Sequence, residues 1–209
     1  MSAGRVVVLR HGRTGHNLRH VWQGQLDVPL DELGVRQARA VGRILSALQP
    51  RAVVSSDLVL ASATAEIVAG VAGLPVALDE RLREIDAGRW QGLTRDEIAA
   101  AGDGEVLAAW RRGEDVPLGG GERPSELGRR GAQALLEHAA RLDGGTLVVV
   151  AHGALLRAAV LTLFGLEQPL WTMLAGLANC GWGVVQPGEP TWRLLSWGLP
   201  PPDHDGTRS

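Results

Sequence analysis

The sequence predicts an α/β fold in which a mostly parallel central sheet lies between two layers of helices. Two short apolar runs, Arg5 to Leu9 and Thr146 to Ala151, show no alternation of polar and apolar residues, as expected of strands covered on both faces. Ala52 to Ser55 is a third run of this kind. Stretches with helical periodicity separate these runs, and the alternation of strands with helices indicates a three-layer α/β/α architecture.

Several of the helical stretches have recognisable beginnings. Apolar residues recur at steps of three and four from Val35 to Leu48, and Asp31 is suited to be the N-cap of that helix. Thr94 to Glu97 has the form of a capping box, and Pro124 fits the first turn of a long helix that ends near Leu142. Two further helices are predicted over Ala61 to Val71 and His152 to Phe164, and a late strand over Thr191 to Trp197.

The composition is that of a single ordinary globular domain. The chain has 209 residues, of which 45% are hydrophobic and 21% charged, and its formal net charge is −2. Such a balance gives no bulk attraction to nucleic acid or to an anionic membrane, so an anionic partner must be a small molecule bound by locally placed groups. We expect one domain over 1–197, a lid-like insertion near 102–122 and a disordered tail over 198–209.

The single cysteine, Cys180, excludes an intramolecular disulfide framework and a zinc site built on several thiolates. As a lone cysteine it is expected to be a small buried apolar residue. Met1 to Arg5 is too short for the core of a signal peptide, and no apolar run approaches the ~20 residues of a membrane span. These observations predict a cytoplasmic protein.

Polar residues follow three of the predicted strands, where ligands of parallel α/β sheets bind. Arg10-His11-Gly12 follows the first strand, Ser55-Ser56-Asp57 the second, and His152-Gly153 opens a helix after the third. A lone histidine is more often structural, but two His-Gly pairs with an arginine and a helix N-terminus favour a phosphate pocket.

A metal site with two histidines and one carboxylate is the competing interpretation, with Glu84 or Asp57 as the third ligand. The guanidinium of Arg10 beside His11 would repel a metal ion, and the sequence has no His-x-x-x-His pairing on a helix. The residues therefore favour a phosphate site that needs neither a metal nor a cofactor.

The segment Leu9 to Asn17, Leu-Arg-His-Gly-Arg-Thr-Gly-His-Asn, resembles the signature of the histidine phosphatase superfamily, in the branch that contains the cofactor-dependent phosphoglycerate mutases. The resemblance covers about residues 5 to 185. Within the family, the chain looks most like the actinobacterial glucosyl-3-phosphoglycerate phosphatases and their broad-specificity relatives. The further segments that carry the resemblance are Gly24 to Leu30, Leu33 to Ala38, Ser55 to Leu58, Leu82 to Glu84, Trp90 to Thr94, Gly120 to Glu122, Ala151 to Gly153 and Asn179 to Trp182.

The resemblance assigns roles to individual side chains. It implies that His11 attacks phosphorus and becomes phosphohistidine, and that Glu84 is the general acid and base. It also implies that Arg10 and His152 donate hydrogen bonds to the transferred phosphoryl group. The positions that it places against the substrate are Gly12, Asn17, Arg13, Gln23, Arg83 and Gly153, with Glu122 in a bordering segment.

The chain departs from the family at one position of this pocket. The family's pattern after the second strand contains a second phosphate-binding arginine, and the residue at that position here is Leu60. An arginine from elsewhere, such as Arg13, Arg157 or Arg83, would restore the lost charge. Alternatively, the leucine makes one wall apolar for a different substrate group, or catalysis has been lost and ligand binding kept.

The resemblance and the residues together predict a metal-independent phosphomonoesterase that hydrolyses a small sugar or glycerate phosphate. The alternatives are a degenerate or repurposed relative and a phosphoglycerate mutase; the short chain offers little to exclude water, which favours hydrolysis over mutase activity. Trp22 and Trp110 are expected near the mouth of the pocket, and Trp90 in the core. The four late tryptophans favour structural roles or a homodimer interface.

Overall fold

In the computed structural model, residues 2–188 and 191–201 are described, and these residues form a single six-stranded sheet. The strand order is β3-β2-β4-β1-β5-β6. Strands β1 to β4 are parallel, whereas β5 and β6 are antiparallel to their neighbours. The strands are β1 (Arg5–Arg10), β2 (Pro50–Ser55), β3 (Val76–Leu78), β4 (Thr146–Ala151), β5 (Trp182–Gln186) and β6 (Arg193–Leu199).

Seven helices surround the sheet in the described part of the chain. The N-caps of two of them agree with the sequence, because Asp31 accepts a hydrogen bond from the Gly34 amide at 2.8 Å and Thr94 forms a capping box with Glu97. The helices are α1 (Gly15–Leu18), α2 (Glu32–Ser46), α3 (Val59–Ala72), α4 (Arg95–Ile98), α5 (Gly104–Arg111), α6 (Pro124–Ala140) and α7 (Gly153–Leu163).

Each face of the sheet buries its own apolar layer. Val6 and Val8 of β1 belong to the cluster that includes residues of α6 and α7, whereas Val7 and Leu9 belong to the cluster of α2 and α3. Successive side chains of a strand point to opposite faces, so a strand buried on both faces must be apolar throughout. This arrangement confirms the predicted α/β/α layering.

The sequence interpretation missed two strands and misplaced both ends of the late strand, and the ends of several other elements differ from the prediction by one or two residues. β3 has only three residues, and β5 carries a glycine and half-buried positions in an alternating pattern, so neither resembles a strand buried on both faces. The late strand begins at Arg193 instead of Thr191. It also extends into the segment predicted as a tail, because Leu199 pairs with Trp182; the rest of that prediction, from 202 to 209, lies outside the described residues.

Three other features of the fold bear on the sequence predictions. The insertion near 102–122 contains a regular helix, α5, followed by a short 3₁₀ turn at Leu118–Gly120. Among the described residues, no helix has the length and apolar character needed to cross a bilayer. Cys180 is fully buried, as expected, and burial raises the pKa of its thiol to about 12.

The register between β1 and β4 brings the two His-Gly pairs together. Arg10 lies opposite Ala151 in this parallel ladder, and the His11 amide donates to the Ala151 carbonyl at 2.9 Å. His11 and His152 therefore leave adjacent strands at the same edge of the sheet. This is the edge at which parallel α/β folds bind ligands.

Candidate active site

A cavity of about 810 Å³ opens at the carboxyl ends of β1 and β4. Arg10, His11, Glu84 and His152 all line it. These are the four residues that the sequence predicted for the chemistry, although they come from three separate segments of the chain. Asn17 and Gln23, from the segment that follows β1, also line the cavity.

His11 is held with one ring nitrogen free to react. Its Nδ1 lies 2.7 Å from the Gly12 carbonyl oxygen. Because a carbonyl oxygen only accepts hydrogen bonds, Nδ1 carries the proton and Nε2 keeps its lone pair. Burial, together with the positive charge of Arg10, lowers the pKa of His11 well below 6.5. The ring is therefore neutral at pH 7, as a nucleophile requires.

His152 lies beside His11, with ring centroids 5.3 Å apart. Its Nε2 is 2.9 Å from the hydroxyl oxygen of Ser56, and the same oxygen accepts the Leu58 amide. The Ser56 hydroxyl proton is therefore free to be donated to Nε2, which leaves the His152 proton on Nδ1. Burial is the main reason, ahead of Arg10 and Arg130, that the pKa of His152 falls to about 3.

Arg10 supplies the buried positive charge of the cavity. Its Nη1 donates to the Leu177 carbonyl at 2.7 Å, which fixes the guanidinium plane. Its Nε is buried and has no hydrogen-bond partner among the described residues. Burial lowers the pKa of Arg10, and the carboxylate of Glu84 opposes that shift. A guanidinium stays protonated in proteins, so Arg10 offers donors to an anion that enters the cavity.

The carboxylate of Glu84 sits at the N-terminus of α7. Its Oε2 accepts the Ala154 amide and its Oε1 accepts the Leu155 amide, each at 3.0 Å, and Oε1 also accepts the Ile85 amide at 3.0 Å. The helix terminus expected to bind phosphate is thus occupied by Glu84. Oε2 accepts fewer bonds and keeps a position for a proton.

The amide side chains near His11 are held by their oxygen atoms. Asn17 Oδ1 accepts the Thr14 amide at 3.1 Å and the Asn179 side-chain amide at 3.0 Å, which leaves Asn17 Nδ2 as a free donor. The Thr14 hydroxyl donates to Gln23 Oε1 at 2.6 Å. Asn179 also donates to the His11 carbonyl at 3.3 Å, so it contacts two of the predicted site residues, Asn17 and His11.

The remaining predicted substrate residues have other partners. Arg13 Nε donates to Asp31 at 2.7 Å, and Arg83 Nε donates to Asp57 at 2.8 Å, and neither arginine lines the cavity. The Gly12 amide donates to the Thr64 hydroxyl, and a Cβ on Gly12 would lie 2.6 Å from the Gly34 carbonyl oxygen. Close packing against α2 is therefore what requires glycine at this position.

Gly153 is the first residue of α7 and lies against Arg10. A Cβ at this position would be 3.5 Å from Arg10 Nε, which is ordinary van der Waals contact. Glu122, the last of the bordering residues, pairs with Arg130 at 2.7 Å instead of facing the cavity. Gly153 thus lies beside a side chain of the cavity, whereas the partner of Glu122 lies outside it.

Leu60 does not form the apolar wall that the sequence suggested. Its side chain is fully buried in the first turn of α3, belongs to neither apolar cluster and does not line the cavity. None of the three arginines considered as replacements reaches the cavity either: Arg13 and Arg83 are paired elsewhere, and Arg157 lines a neighbouring cavity. The further guanidiniums on the cavity of His11 are those of Arg19 and Arg95.

A second cavity, of about 290 Å³, adjoins the first and shares Arg95 and Trp110 with it. Arg111 and Arg157 also line this space, together with one carboxylate, that of Glu114. Three guanidiniums against one carboxylate leave the small cavity with an excess of positive charge, which favours an anionic occupant. No spacing in the sequence indicated this cluster, because its members lie on three different helices.

The three tryptophans of the site region stack in a row. The rings of Trp22 and Trp90 are 5.3 Å apart, and those of Trp22 and Trp110 are 5.0 Å apart, both edge to face. Trp90 is buried and donates to Asp103 at 2.6 Å, which confirms its predicted core role. Trp22 and Trp110 line the cavity, as predicted.

In the described part of the chain, no three histidine, cysteine, aspartate or glutamate side chains lie close enough to hold a metal ion. Asp57, one of the two carboxylates considered as a third ligand, is engaged by Arg83. Glu84, the other, is held by backbone amides of α7. Each of the two carboxylates is therefore engaged by other groups of the protein.

The buried histidines make the stability of the protein depend on pH. In the unfolded chain the pKa of His152 is near 6.5, whereas in the folded protein it is about 3. Between these values the unfolded chain binds more protons, so the free energy of unfolding should fall as the pH drops from 6.5 toward 3, by up to about 1.4 kcal/mol per pH unit for this residue.

This pH dependence is checked by urea denaturation at pH 7, 5.5 and 4.5. The variant His152→Gln, whose amide can still bond to Ser56, should show a shallower loss of stability than the native protein. An identical slope in both proteins would contradict the assignment of His152 as a buried neutral group.

An unprotonated imidazole nitrogen, a guanidinium and a carboxyl group share one cavity, as expected for an enzyme that transfers phosphoryl groups through histidine. Comparison with known proteins identifies the class. The histidine phosphatase superfamily (branch 1) matches residues 6–200. The chain belongs to this superfamily.

The most similar relatives include the glucosyl-3-phosphoglycerate phosphatase of Mycolicibacterium vanbaalenii, 39% identical over 94% of this chain and 95% of that protein. A probable phosphoglycerate mutase of Salmonella paratyphi C is 33% identical over 92% and 89% of the two chains. The solved structure of a mycobacterial glucosyl-3-phosphoglycerate phosphatase complexed with VO3 has a TM-score of 0.88, with 38% identity over 94% of this chain and 100% of that one.

Proposed function

We propose that this histidine phosphatase hydrolyses a small phosphorylated sugar or glycerate through a phosphohistidine on His11, without a metal ion. The observation that carries the proposal is the state of His11, whose free Nε2 belongs to a ring kept neutral by burial and by Arg10. The similarity to glucosyl-3-phosphoglycerate phosphatases supports a substrate of this class.

The geometry supports a two-step reaction. In the first step the lone pair of His11 Nε2 attacks phosphorus, the bond from phosphorus to the ester oxygen breaks, and Glu84 gives its proton to the leaving alcohol. Arg10, together with Nδ1–H of His152, stabilises the charge on the non-bridging oxygens. In the second step water attacks phosphorus, Glu84 takes the water proton, and the bond to nitrogen breaks to release inorganic phosphate.

Hydrolysis is favoured over mutase activity by the small cover beside the cavity. A mutase must keep water away from its phosphohistidine. Here the insertion contributes a helix of eight residues, α5, and Trp110 of this helix lines the cavity. The cavity is therefore open to the water that the second step consumes.

The central test is to trap the covalent intermediate. The native protein, freed of metal with a chelator, is mixed with ³²P-labelled substrate and quenched in alkali, where phosphohistidine survives and phosphoserine ester is lost. We expect label on the peptide that contains His11 and steady release of phosphate from a panel of sugar and glycerate phosphates. Turnover without histidine-bound label, or dependence on added metal, would overturn the proposal.

The second cavity is proposed to hold an anionic group of the substrate other than the phosphate, such as the carboxylate of a glycerate. Arg95 lines both cavities and is placed to link them. Arg95→Gln should raise KM about tenfold for a phosphoglycerate, because a charge-assisted hydrogen bond contributes roughly 1.5–3 kcal/mol. For a sugar phosphate with no charged group besides its phosphate, KM should stay nearly unchanged.

Steady-state kinetics with the two substrates check this prediction. Arg129→Gln, an exposed arginine of α6 outside both cavities, is the matched control. Equal effects of Arg95→Gln on the two substrates would show that the arginine does not recognise the second anion.

We further propose a cytoplasmic protein of one catalytic domain that assembles as a homodimer and binds neither nucleic acid nor membranes. The net charge of −2 supports the absence of a polyanionic partner. An apolar groove near β6 supports self-association, with Phe164, Met173, Trp192 and Leu194 among its lining residues. Sedimentation equilibrium measures the oligomeric state.

A further inference from the structure

The segment that carries Glu84 is held by an arginine that no feature of the sequence pointed to. Arg130 lies on α6, and Glu84 follows the 3₁₀ turn at Glu80–Leu82. Arg130 is partly buried, with 23% of its side chain exposed, and it does not line either cavity of the site. Its contacts reach the cavity only through the chain that it holds, although its positive charge also helps to lower the pKa of His152.

All five N–H donors of the Arg130 guanidinium have partners. Nη1 donates to the carbonyls of Arg81 and Arg83, each at 2.7 Å, and Nη2 donates to the Glu84 carbonyl at 2.9 Å. Nε and Nη2 also bind the two carboxylate oxygens of Glu122 at 2.7 and 2.8 Å. Three backbone carbonyls of residues 81–84 thus accept hydrogen bonds from one planar guanidinium.

Glu122 completes this contact from the other side. Its carboxylate orients the guanidinium in a two-pronged ion pair, and its Oε2 accepts the Asp86 amide at 3.3 Å. The Glu122 amide in turn donates to the Asp86 carbonyl at 2.8 Å. The chain is therefore fixed on both sides of Glu84, at residues 81–84 and at residue 86.

The same face of α6 also contacts Asp79 and Arg81, at the beginning of the segment that carries Glu84. Glu137 and His138 follow Arg130 at steps of seven and eight, which places them on one side of the helix. Glu137 accepts from Arg81 at 2.8 Å, and His138 contacts the Asp79 carboxylate at 2.8 Å. α6 is thus the support against which the Glu84 segment is positioned.

We propose that Arg130, oriented by Glu122, is a positioning residue that sets the place of the Glu84 carboxyl group opposite the leaving oxygen. The inference rests on the proposed function. Proton transfer requires hydrogen-bond reach, and a displacement of about 1 Å can cost about 100-fold in rate. Lysine has no planar fork and cannot bind three carbonyls and a carboxylate at once.

The test compares substrates that need the acid with one that needs it less. A glycerate or sugar phosphate has a poor leaving group, whereas 4-nitrophenyl phosphate has a good one. Arg130→Lys should lower kcat/KM, which reports formation of the phosphohistidine, about 100-fold for the poor leaving group and less than tenfold for 4-nitrophenyl phosphate. Glu122→Gln should shift kcat/KM in the same pattern, and Arg129→Lys, at the exposed neighbouring position, should leave both values unchanged.

A double-mutant cycle separates positioning from general loss of structure. If Arg130 acts through Glu84, Arg130→Lys should have little further effect on the poor substrate in a Glu84→Gln background. An equal loss of kcat/KM for both substrates, or a full loss that persists in the Glu84→Gln background, would overturn the proposal.

Hydrogen exchange supplies a readout that does not depend on turnover, so failure of the proposed activity and failure of this inference can be told apart. The Ile85, Ala154 and Leu155 amides donate to the Glu84 carboxylate. In Arg130→Lys these amides should exchange about tenfold faster, while amides of β1 keep their native rates. Unchanged exchange at the three amides would overturn the inference even if the native enzyme were active.

Discussion

Replacing His11 by alanine is expected to lower kcat for every phosphate monoester by at least about 10⁴-fold, the size typical of loss of a covalent nucleophile. The reason is that Nε2 is the unprotonated nitrogen of a buried, neutral ring, and the variant lacks this nitrogen. The measurement is phosphate release under saturating substrate, with the folded state of the variant checked by circular dichroism.

His16→Ala is the matched control for this change. His16 lies five residues further along the chain, on α1, and does not line the cavity. The His16→Ala variant should retain the native kcat. If His11→Ala kept more than about one per cent of native kcat, His11 would not be the phosphoryl acceptor, and His152 would be the next candidate to label.

Leu60→Arg should raise kcat/KM by about 100-fold, the reverse of the usual effect of a mutation in an active-site region. By the family resemblance, this position is that of the second phosphate-binding arginine, and Arg10 is the guanidinium that lies beside His11 in the cavity. A second preorganised guanidinium would stabilise charge on the moving phosphoryl group, and one such donor commonly changes the rate by about 10²–10³. Steady-state kinetics on the sugar and glycerate panel give the result.

The gain should come with a loss of stability, because the native side chain is fully buried and a guanidinium in its place must reach the cavity to be solvated. Leu60→Met controls for the change of shape; it should cost less than about 1.5 kcal/mol and leave kcat/KM as it is. A folded Leu60→Arg protein with unchanged or lower kcat/KM would show that an arginine at this position does not stabilise the transferred phosphoryl group.

The central strands and the residues that follow them were predictable because each position there satisfies several constraints at once. β1 and β4 had to be apolar on both faces, and their carboxyl ends had to meet in a parallel sheet. That is why the pattern of strands alone was enough to place Arg10, His11 and His152 together. Glu84 lies outside these strands, and its place depended on the family resemblance.

The residues that escaped prediction act through contacts between distant segments. Arg130 looks in the sequence like an ordinary polar residue on the outer face of α6, and its bonds go to backbone carbonyls that any sequence would provide. Asn179 joins the site across 162 positions of the chain to Asn17. The partners of Arg13 and Arg83 were hidden for the same reason, since an ion pair with Asp31 or Asp57 leaves no pattern of spacing.

The spacing of the two imidazoles, 5.3 Å between centroids, is inherited from one backbone ladder. Helices α4 and α5, which supply Arg95, Trp110 and Arg111 to the second cavity, belong to neither strand of that ladder, whereas Arg157 comes from α7, directly after β4. Substitutions in α4 and α5 can therefore change the lining of the second cavity without moving the strands that hold the two imidazoles. Variation in these two helices is a route by which one reaction can be offered to different metabolites.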